Sequence, residues 1–467
     1  MPAVPHYWSR LLPALAALAL VTRVPSFLRP VWNPDEGYLA TQARMLADGG
    51  ALYDTVVDRK PPLLPWTYQA CFALFGDGSL QPLRVLAVGA HLMTAVALAS
   101  TARRRWGDHA GAAAGALYLL ISIGLAPEDT QTASFEVFML PGTAWAFRCA
   151  ERRQWASAGT CAALAALTKQ TAGVVLLPLA WMLWRRRDVR GTLTTALGFA
   201  LPVTAVALAT GPGGFLFWTV TGNGDYAALG DSWRTAFARA AGNAAVLAVA
   251  AAAPLAAVIR LRVGHRAVAD PALWLWLAGS GLAVLAGLRF FGHYYLQLVP
   301  PLTLLGVAAL RRLPHWWRPV LACTALTAAG YWSWGVVHPA GELDHTRVVA
   351  ASVREHTAPK EEVLIWGMHP EDYWFADRRP ASRFLTAGLL TNFGGGRGDE
   401  RVGEEHGVPG AWVTFREELR TRPPALVVDD SRGAPYRPAQ IPELRRFLDR
   451  HYRRLDTADG AVLYTRR

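Results

Sequence analysis

Up to about Pro339 the chain is a series of apolar runs, each roughly 17–25 residues long, separated by short charged or glycine-rich connections. Runs of that length suit α-helices that cross the hydrocarbon core of a bilayer. They predict about eleven spans, centred near Leu18, Leu92, Tyr118, Thr143, Ala163, Leu177, Leu201, Val249, Leu277, Leu304 and Leu326. The first run, Leu11 to Leu28, carries no small-residue cleavage site and leads straight into the others, so it reads as a span and not as a removable signal. Between Ala156 and Trp184 two spans must turn around Thr168-Lys169-Gln170-Thr171, and the later assignments depend on that turn.

Two stretches break the rhythm. Residues 29–80 make an unusually long connection. Asn33-Pro34-Asp35-Glu36 is a helix-start signal, with Asn as cap, Pro in the first turn and acids at the positive dipole end. Tyr38, Leu39, Ala43, Met45 and Leu46 follow as an amphipathic stripe that stops at Gly49-Gly50. An extended piece from Leu52 to Lys60 is expected next, then a second helix from Leu63 to Phe75 that carries Trp66, Tyr68 and Phe72. Such helices lie flat at a membrane interface and frame a cavity there. Residues 340–467 read as a small α/β module of ordinary domain size. Its expected elements are a helix at Thr346–His356, strands at Val363–Trp366 and Ala425–Val428, a helix at Pro442–Leu455 and a last strand near Ala461–Tyr464. Gly394-Gly395-Gly396 with Gly398 reads as a loop and not as a dinucleotide fingerprint.

Composition and charge sharpen this division. The 467 residues are 52% hydrophobic, too apolar for an ordinary soluble chain of this size. The net charge of +12 resides in residues 1–339, because acids and bases balance beyond Gly341; nucleic acid is therefore a poor explanation of the charge and is not expected as a partner. Arg103-Arg104-Arg105, Arg152-Arg153, Arg185-Arg186-Arg187, Arg260 to Arg266 and Arg311-Arg312 all fall on one side, which the positive-inside rule makes cytoplasmic. The N-terminus is then inside, and an odd number of spans puts the C-terminal module outside. Asp35, Glu36, Asp48, Asp54, Asp58, Asp77, Glu128, Asp129, Glu136, Asp225 and Asp231 all map to the other, outer face. Four scattered cysteines show neither metal spacing nor a disulfide pattern. Arginine supplies nearly all positive charge, and the lysines are only Lys60, Lys169 and Lys360. The first two fall at outer ends of spans, where a compact ammonium suits a phosphate.

Three strings in the first outer loop carry a family resemblance: Asp35-Glu36-Gly37-Tyr38, Gly50-Ala51-Leu52-Tyr53-Asp54 and Lys60-Pro61-Pro62-Leu63. They resemble the first outer loop of the GT-C membrane glycosyltransferases, in the branch of the dolichyl-phosphate-mannose protein mannosyltransferases and the bacterial lipid A aminoarabinose transferases. Thr168 to Gly173 and Arg289-Phe290-Phe291-Gly292-His293-Tyr294-Tyr295 with Pro300-Pro301 are similar to later segments of that branch. The residues around Trp366-Gly367 and from Tyr373 to Phe384 resemble the outer domain of its bacterial members.

The resemblance implies a polytopic α-helical membrane protein with a GT-C-like domain (1–339), a first outer loop (29–80) and an extracytoplasmic α/β domain (340–467). It further implies inverting transfer of one sugar from a polyprenyl-phosphate donor in the lipid bilayer to a hydroxyl of a glycan, lipid or protein acceptor, at the outer face of the cytoplasmic membrane. The reaction needs a base for the acceptor hydroxyl and positive charge for the leaving phosphate. Asp35 maps to the base, with Glu36 orienting it or holding a cation or sugar hydroxyl. Lys60, Arg59, Lys169, Arg289, His293 and Tyr294 are the candidates for the phosphate, with Lys60 and His293 foremost. Tyr53, Glu128, Asp129 and Glu136 are candidates for the sugar, the acceptor or a divalent cation. Some relatives carry an acid directly before the Lys-Pro-Pro string; Arg59 stands there in this chain, which weakens the case for a metal. Three other readings share parts of this pattern: a transporter or flippase of lipid-linked sugars, a GT-C-like ligase that moves a whole glycan, and a non-catalytic assembly partner. A transporter predicts internal repeats and broken helices at the midplane. No convincing repeat is visible, and the informative residues gather at one face.

Overall fold

The computed structural model describes residues 6–223, 233–264, 270–339, 341–394 and 401–467. Asp225, Asp231, Arg266, Gly395, Gly396 and Gly398 lie outside them.

Each of the eleven predicted centres falls in a helix. These are α1 (Tyr7–Thr22), α4 (Gln81–Trp106), α5 (Asp108–Ile121), α7 (Phe135–Glu151), α8 (Trp155–Thr168), α9 (Leu176–Arg186), α10 (Val189–Thr210), α12 (Trp233–Ala250), α14 (Pro271–Leu285), α15 (Val299–Leu310) and α16 (Trp317–Val337). Short helices α6 (Pro127–Thr130) and α11 (Pro212–Thr219), and α13 (Ala252–Val263), fill the connections. Among the described residues only α4, α10 and the 314–337 segment that contains α16 are long and apolar enough to span a bilayer alone; α12 and α13 could make a fourth, bent by 87°. The expected eleven full-length spans are thus not what the helix lengths give. The apolar runs are interrupted where the backbone tightens into 3-10 turns at Val24–Leu28, Gln170–Val175 and Gly292–Leu298. These interruptions place polar side chains at one end of the bundle.

The turn expected at Thr168–Thr171 is present. Helix α8 stops at Thr168, Lys169 is extended (φ −147°, ψ 123°), and the 3-10 turn leads into α9. The extended residue turns the Lys169 side chain inward, against α7.

In the first loop, helix α2 (Pro34–Ala47) starts where the sequence signals it, with the Asn33 side chain accepting from the Glu36 N–H at 3.3 Å. Helix α3 (Leu63–Phe75) ends on Gly76 at φ 82°. The piece from Leu52 to Lys60 is not extended as expected. Its chain folds back so that Tyr53 N–H reaches the Val56 carbonyl at 2.7 Å, with Tyr53 itself at φ 68°. The Thr55 hydroxyl drives this turn by accepting from the Ala51 N–H at 2.8 Å.

After Pro339 the chain builds a five-stranded sheet ordered β2-β1-β3-β5-β4. Strands β1 (Glu362–Trp366), β2 (Arg379–Pro380) and β3 (Leu426–Asp429) pair in parallel; β4 (Tyr452–Ala458) and β5 (Ala461–Arg466) extend the sheet antiparallel. Helices α17 (Leu343–Glu355), α18 (Glu371–Ala376), α19 (Gly388–Thr391), α20 (Ala411–Thr421) and α21 (Pro442–His451) flank it. The helix expected to run to Leu455 ends four residues early. Asp459-Gly460, with both φ positive at 44° and 86°, makes a tight hairpin turn, and residues 452–458 pair as a strand instead.

The module sits directly on the first loop. The Thr41 hydroxyl donates to the Pro370 carbonyl at 3.1 Å, Arg44 donates to the Trp374 carbonyl at 3.1 Å, and Trp374 Nε1 donates to the Asp77 carbonyl at 2.9 Å. At Gly37 the backbones of α2 and α18 approach so closely that a Cβ there would collide with Glu371. Gly37→Ala should therefore force the two apart, with a loss of about 1–3 kcal/mol of the kind seen on overfilling a close contact, read as a lower unfolding midpoint.

Candidate active site

Two elements bring the expected residues together: the start of α2 with the loop at 58–62, and the ends of α7, α8 and the 292–298 turn. Asp35 stands in the first turn of α2, and Lys60 Nζ lies 3.3 Å from its Oδ2. Both side chains are partly exposed. Lys60 Nζ also sits 4.3 Å from the centre of the Phe135 ring, which places it beside Glu136 at the start of α7. The Tyr53 hydroxyl donates to the Lys60 carbonyl at 3.0 Å and braces the loop from beneath. Tyr53 is itself buried, edge-on to Phe215 at 5.9 Å, so it supports the site rather than facing into it.

The second half is a chain of ion pairs. Lys169 pairs with Glu136 and lies 3.9 Å over the Tyr294 ring. His293 stands between two acids, with Nδ1 at 2.9 Å from Asp129 Oδ1 and Nε2 at 3.8 Å from Glu136 Oε1. The His293 N–H donates to the same Asp129 oxygen at 2.8 Å. Phe291 stacks on the imidazole at 5.7 Å. Gly292 is required here, because a Cβ would occupy the place of the Asp129 carboxylate. The backbone that leads in is turned through positive φ at Leu288 (53°) and Phe290 (52°), a costly conformation that non-glycine residues adopt only where contacts hold it.

The halves share one field. Burial alone would push the Asp35 carboxyl up, but Lys60, then His293 and Lys169, outweigh it and hold it below the usual carboxylate range. Asp58 behaves oppositely. Burial pushes its carboxyl up to about 6, with Lys60 opposing and Asp35 adding to the rise, and one of its oxygens has no hydrogen-bond partner. The folded state therefore holds the Asp58 proton more tightly than the unfolded chain, whose carboxyl titrates near 3.8. Stability from this group grows as pH falls from above 6 toward 4 and is lost as pH rises. Asp58→Asn should stabilise the fold at pH 8 by about 3 kcal/mol, read as a higher unfolding midpoint, and flatten the midpoint's rise as pH falls from 7 to 5.

The remaining expected residues make other contacts. Glu36 is fully buried, and its carboxylate is saturated: Arg84 holds both oxygens, while the N–H groups of Trp32 and Ala133 donate at 2.8 and 2.7 Å. It has no capacity left for a cation or a sugar, and its work is to fix the start of α2 against α4 and the Ala133 backbone. Glu128 faces His338 at 3.5 Å, with its side chain partly exposed. Arg289 reaches the α/β module, where Nη1 donates to the Gly394 carbonyl at 2.9 Å. Arg59 contributes its carbonyl to Gln170 Nε2 at 2.9 Å. Arg84 and Asp58 were not singled out from the sequence as site residues. Arg84 had a readable signal, since it is a lone arginine inside an apolar run at the end away from the arginine-rich loops.

A divalent cation does not suit this donor set. Asp35, Asp129 and Glu136 each face a cationic or imidazole partner, Glu36 is saturated, and Arg59 occupies the position before Lys60. Among the described residues no group of three or more His, Cys, Asp or Glu side chains is arranged for a metal.

Comparison with known proteins agrees with this architecture. Residues 59–210 match the family described as dolichyl-phosphate-mannose-protein mannosyltransferase, a stretch that includes Lys60, Glu136 and Lys169 but not Asp35 or His293. The structure is similar to ArnT from Cupriavidus metallidurans, solved bound to undecaprenyl phosphate and in the apo state. In both cases the TM-score is 0.59 at 17% identity, over 99% of this chain and 98% of that one. It is also similar to the oligosaccharyltransferase of Archaeoglobus fulgidus, solved with zinc and sulfate, with a TM-score of 0.54 at 14% identity over 90% of this chain and 68% of that one. No curated protein sequence matches the chain.

Proposed function

We propose that this chain, which has the fold of the GT-C membrane glycosyltransferases, transfers one sugar with inversion from a polyprenyl-phosphate donor to an acceptor hydroxyl at the outer face of the cytoplasmic membrane. The observation that carries the reading is the Asp35–Lys60 pair, within the field of His293 and Lys169, at the head of a juxtamembrane helix. A carboxylate and a cluster of cations at one end of a helical bundle supply both ends of the required chemistry.

Asp35 takes the proton of the acceptor hydroxyl as its oxygen attacks the anomeric carbon. The bond from that carbon to the phosphate oxygen breaks, and its electron pair leaves with polyprenyl phosphate. Lys60 and His293 stabilise the charge that gathers on the phosphate. Before donor binds, Lys60 is engaged by Asp35. An incoming phosphate competes for that ammonium, and a carboxylate that loses its cation becomes a better base. The donor thereby switches on the group that must act next. Lys169 and Glu136 hold each other and fix Tyr294 and His293 at the phosphate end. The acceptor class, whether glycan, lipid or protein, stays open to assay, as does the sugar. The C-terminal module, outside the membrane in this reading, covers α2 and would line the acceptor side.

The test uses the full chain in vesicles with a radiolabelled polyprenyl-phosphate sugar. Conversion to free polyprenyl phosphate and a glycosylated acceptor is the expected result, and Lys60→Met should slow it by roughly 10²–10³-fold, as loss of one charge-stabilising donor does. Movement of intact donor between leaflets without cleavage would establish the transporter reading instead.

A further inference from the structure

A second polar site lies at the far end of the same helices. Helix α4 carries Arg84 at one end and Arg105 at the other, separated by about 30 Å of helix at ~1.5 Å per residue, close to the thickness of a hydrocarbon core. Helix α7 likewise runs from Glu136 to Glu151. At this end a cleft of about 660 Å³ opens between α9, α14 and the tips of α4 and α7.

The charges in it are unevenly matched. Arg105 grips Glu151 through two bonds of 2.7 and 2.8 Å and also holds Asp270. One arginine thus engages both acids that line the cleft among the described residues. Arg185 and Arg186, in the last turn of α9, line the same space, are exposed, and have no acidic partner among the described residues. Arg185 lies 5.9 Å from the Trp181 ring, and Trp181 is tilted against Trp184 at 5.1 Å. Taking Arg105, Arg185 and Arg186 against Glu151 and Asp270 leaves one positive charge unanswered. Tryptophans mark the level of lipid headgroups, and arginines bind phosphate oxygens with forked hydrogen bonds.

We propose that this cleft seats the phosphodiester headgroup of a singly charged anionic lipid from the leaflet opposite the candidate active site. Basic pockets between helices on the arginine-rich side of membrane proteins are suited to that chemistry. The volume lies in the range of small-molecule sites. The acids bound to Arg105 form a floor that excludes a second anion, and Arg185 and Arg186 supply the donors. The site is independent of the transfer reaction proposed above.

The full chain, purified in a neutral detergent, is titrated with phosphatidylglycerol, phosphatidylcholine or inorganic phosphate. Bound lipid is counted by native mass spectrometry and the unfolding midpoint is recorded. Phosphatidylglycerol should be retained and raise the midpoint; Arg185→Gln/Arg186→Gln should bind it about tenfold more weakly, while Arg152→Ala/Arg190→Ala, which removes equal charge on the same side but outside the cleft, should bind it as the parent does. Equal retention of phosphatidylcholine, full retention by the Arg185/Arg186 variant, or loss in the control variant would overturn the site. A midpoint shift reproduced by inorganic phosphate alone would replace the lipid with a free anion. Because both arginines are exposed, the variant should fold, and its midpoint without lipid checks this.

Discussion

Asp35→Asn should lower turnover by about 10²–10⁴-fold, the range expected when a general base is removed, with the fold intact. The pair it forms with Lys60 is partly solvent-exposed, and exposed pairs contribute little to stability. Its loss should therefore leave the unfolding midpoint nearly unchanged, which separates a chemical role from a structural one. The donor KM gives a sharper reading. In the proposed mechanism the donor draws Lys60 away from Asp35 in the wild type; in the variant that competition is gone, so KM should stay level or fall while kcat collapses. Radiolabelled donor cleavage measures both. Unchanged turnover in Asp35→Asn would end the mechanism.

The same competition sets the pH dependence. In the proposed mechanism Asp35 acts as a base only when ionised, and in the free protein its cations hold the carboxyl below the usual range. The acid limb of kcat/KM, which reports the free protein, should thus lie below the ordinary aspartate value. The limb of kcat reports the donor complex, where in the proposed mechanism phosphate takes a share of Lys60, and should lie at higher pH. Coincident limbs would mean that Lys60 does not change partners.

Much of this arrangement could be read from local patterns. Asn33-Pro34-Asp35-Glu36 announced a helix start, and the eleven apolar centres each became a helix. Lysine stood out because arginine does every other task, and both Lys60 and Lys169 now face carboxylates at one end of the bundle. What escaped depends on contacts distant in sequence. Asp35 and Glu36 are neighbours with identical local signals, yet one is partly exposed and pairs with Lys60 while the other is locked to Arg84, 48 residues away. Helix direction separates them, since adjacent residues point about 100° apart. Arg289 was expected at the phosphate, and one of its guanidinium nitrogens donates into the α/β module at Gly394, a contact that no spacing predicts. The short strand at 452–458 was hidden because a helix with strong spacing runs straight into it, and only the Asp459-Gly460 turn betrays the pairing. Gly37 is the clearest case. In the sequence it looks like one small residue in a motif, and in the structure it is where the α/β module touches the helix that carries Asp35.

Arg84→Met should be the most destabilising single change at the site, by about 3–5 kcal/mol, because it leaves a buried carboxylate without its cation. Glu36 has no exposure, and among the described residues Arg84 is its sole charged partner; the two backbone donors from Trp32 and Ala133 can hydrogen-bond the acid but cannot neutralise it. The variant must either bury the charge at that cost or protonate Glu36, and protonation displaces one of the backbone donors. Either outcome loosens the start of α2 and moves Asp35, one residue earlier, so activity should fall with stability. Arg84→Met/Glu36→Gln provides the check. Removing both charges ends the electrostatic penalty, and the glutamine carbonyl can still accept from one backbone N–H. The double variant should therefore recover most of the lost unfolding midpoint. If Glu36 serves only to hold the helix start, donor cleavage should recover in step with stability. Recovery of the fold without recovery of cleavage would give Glu36 a direct part in the reaction, against the saturated geometry seen here.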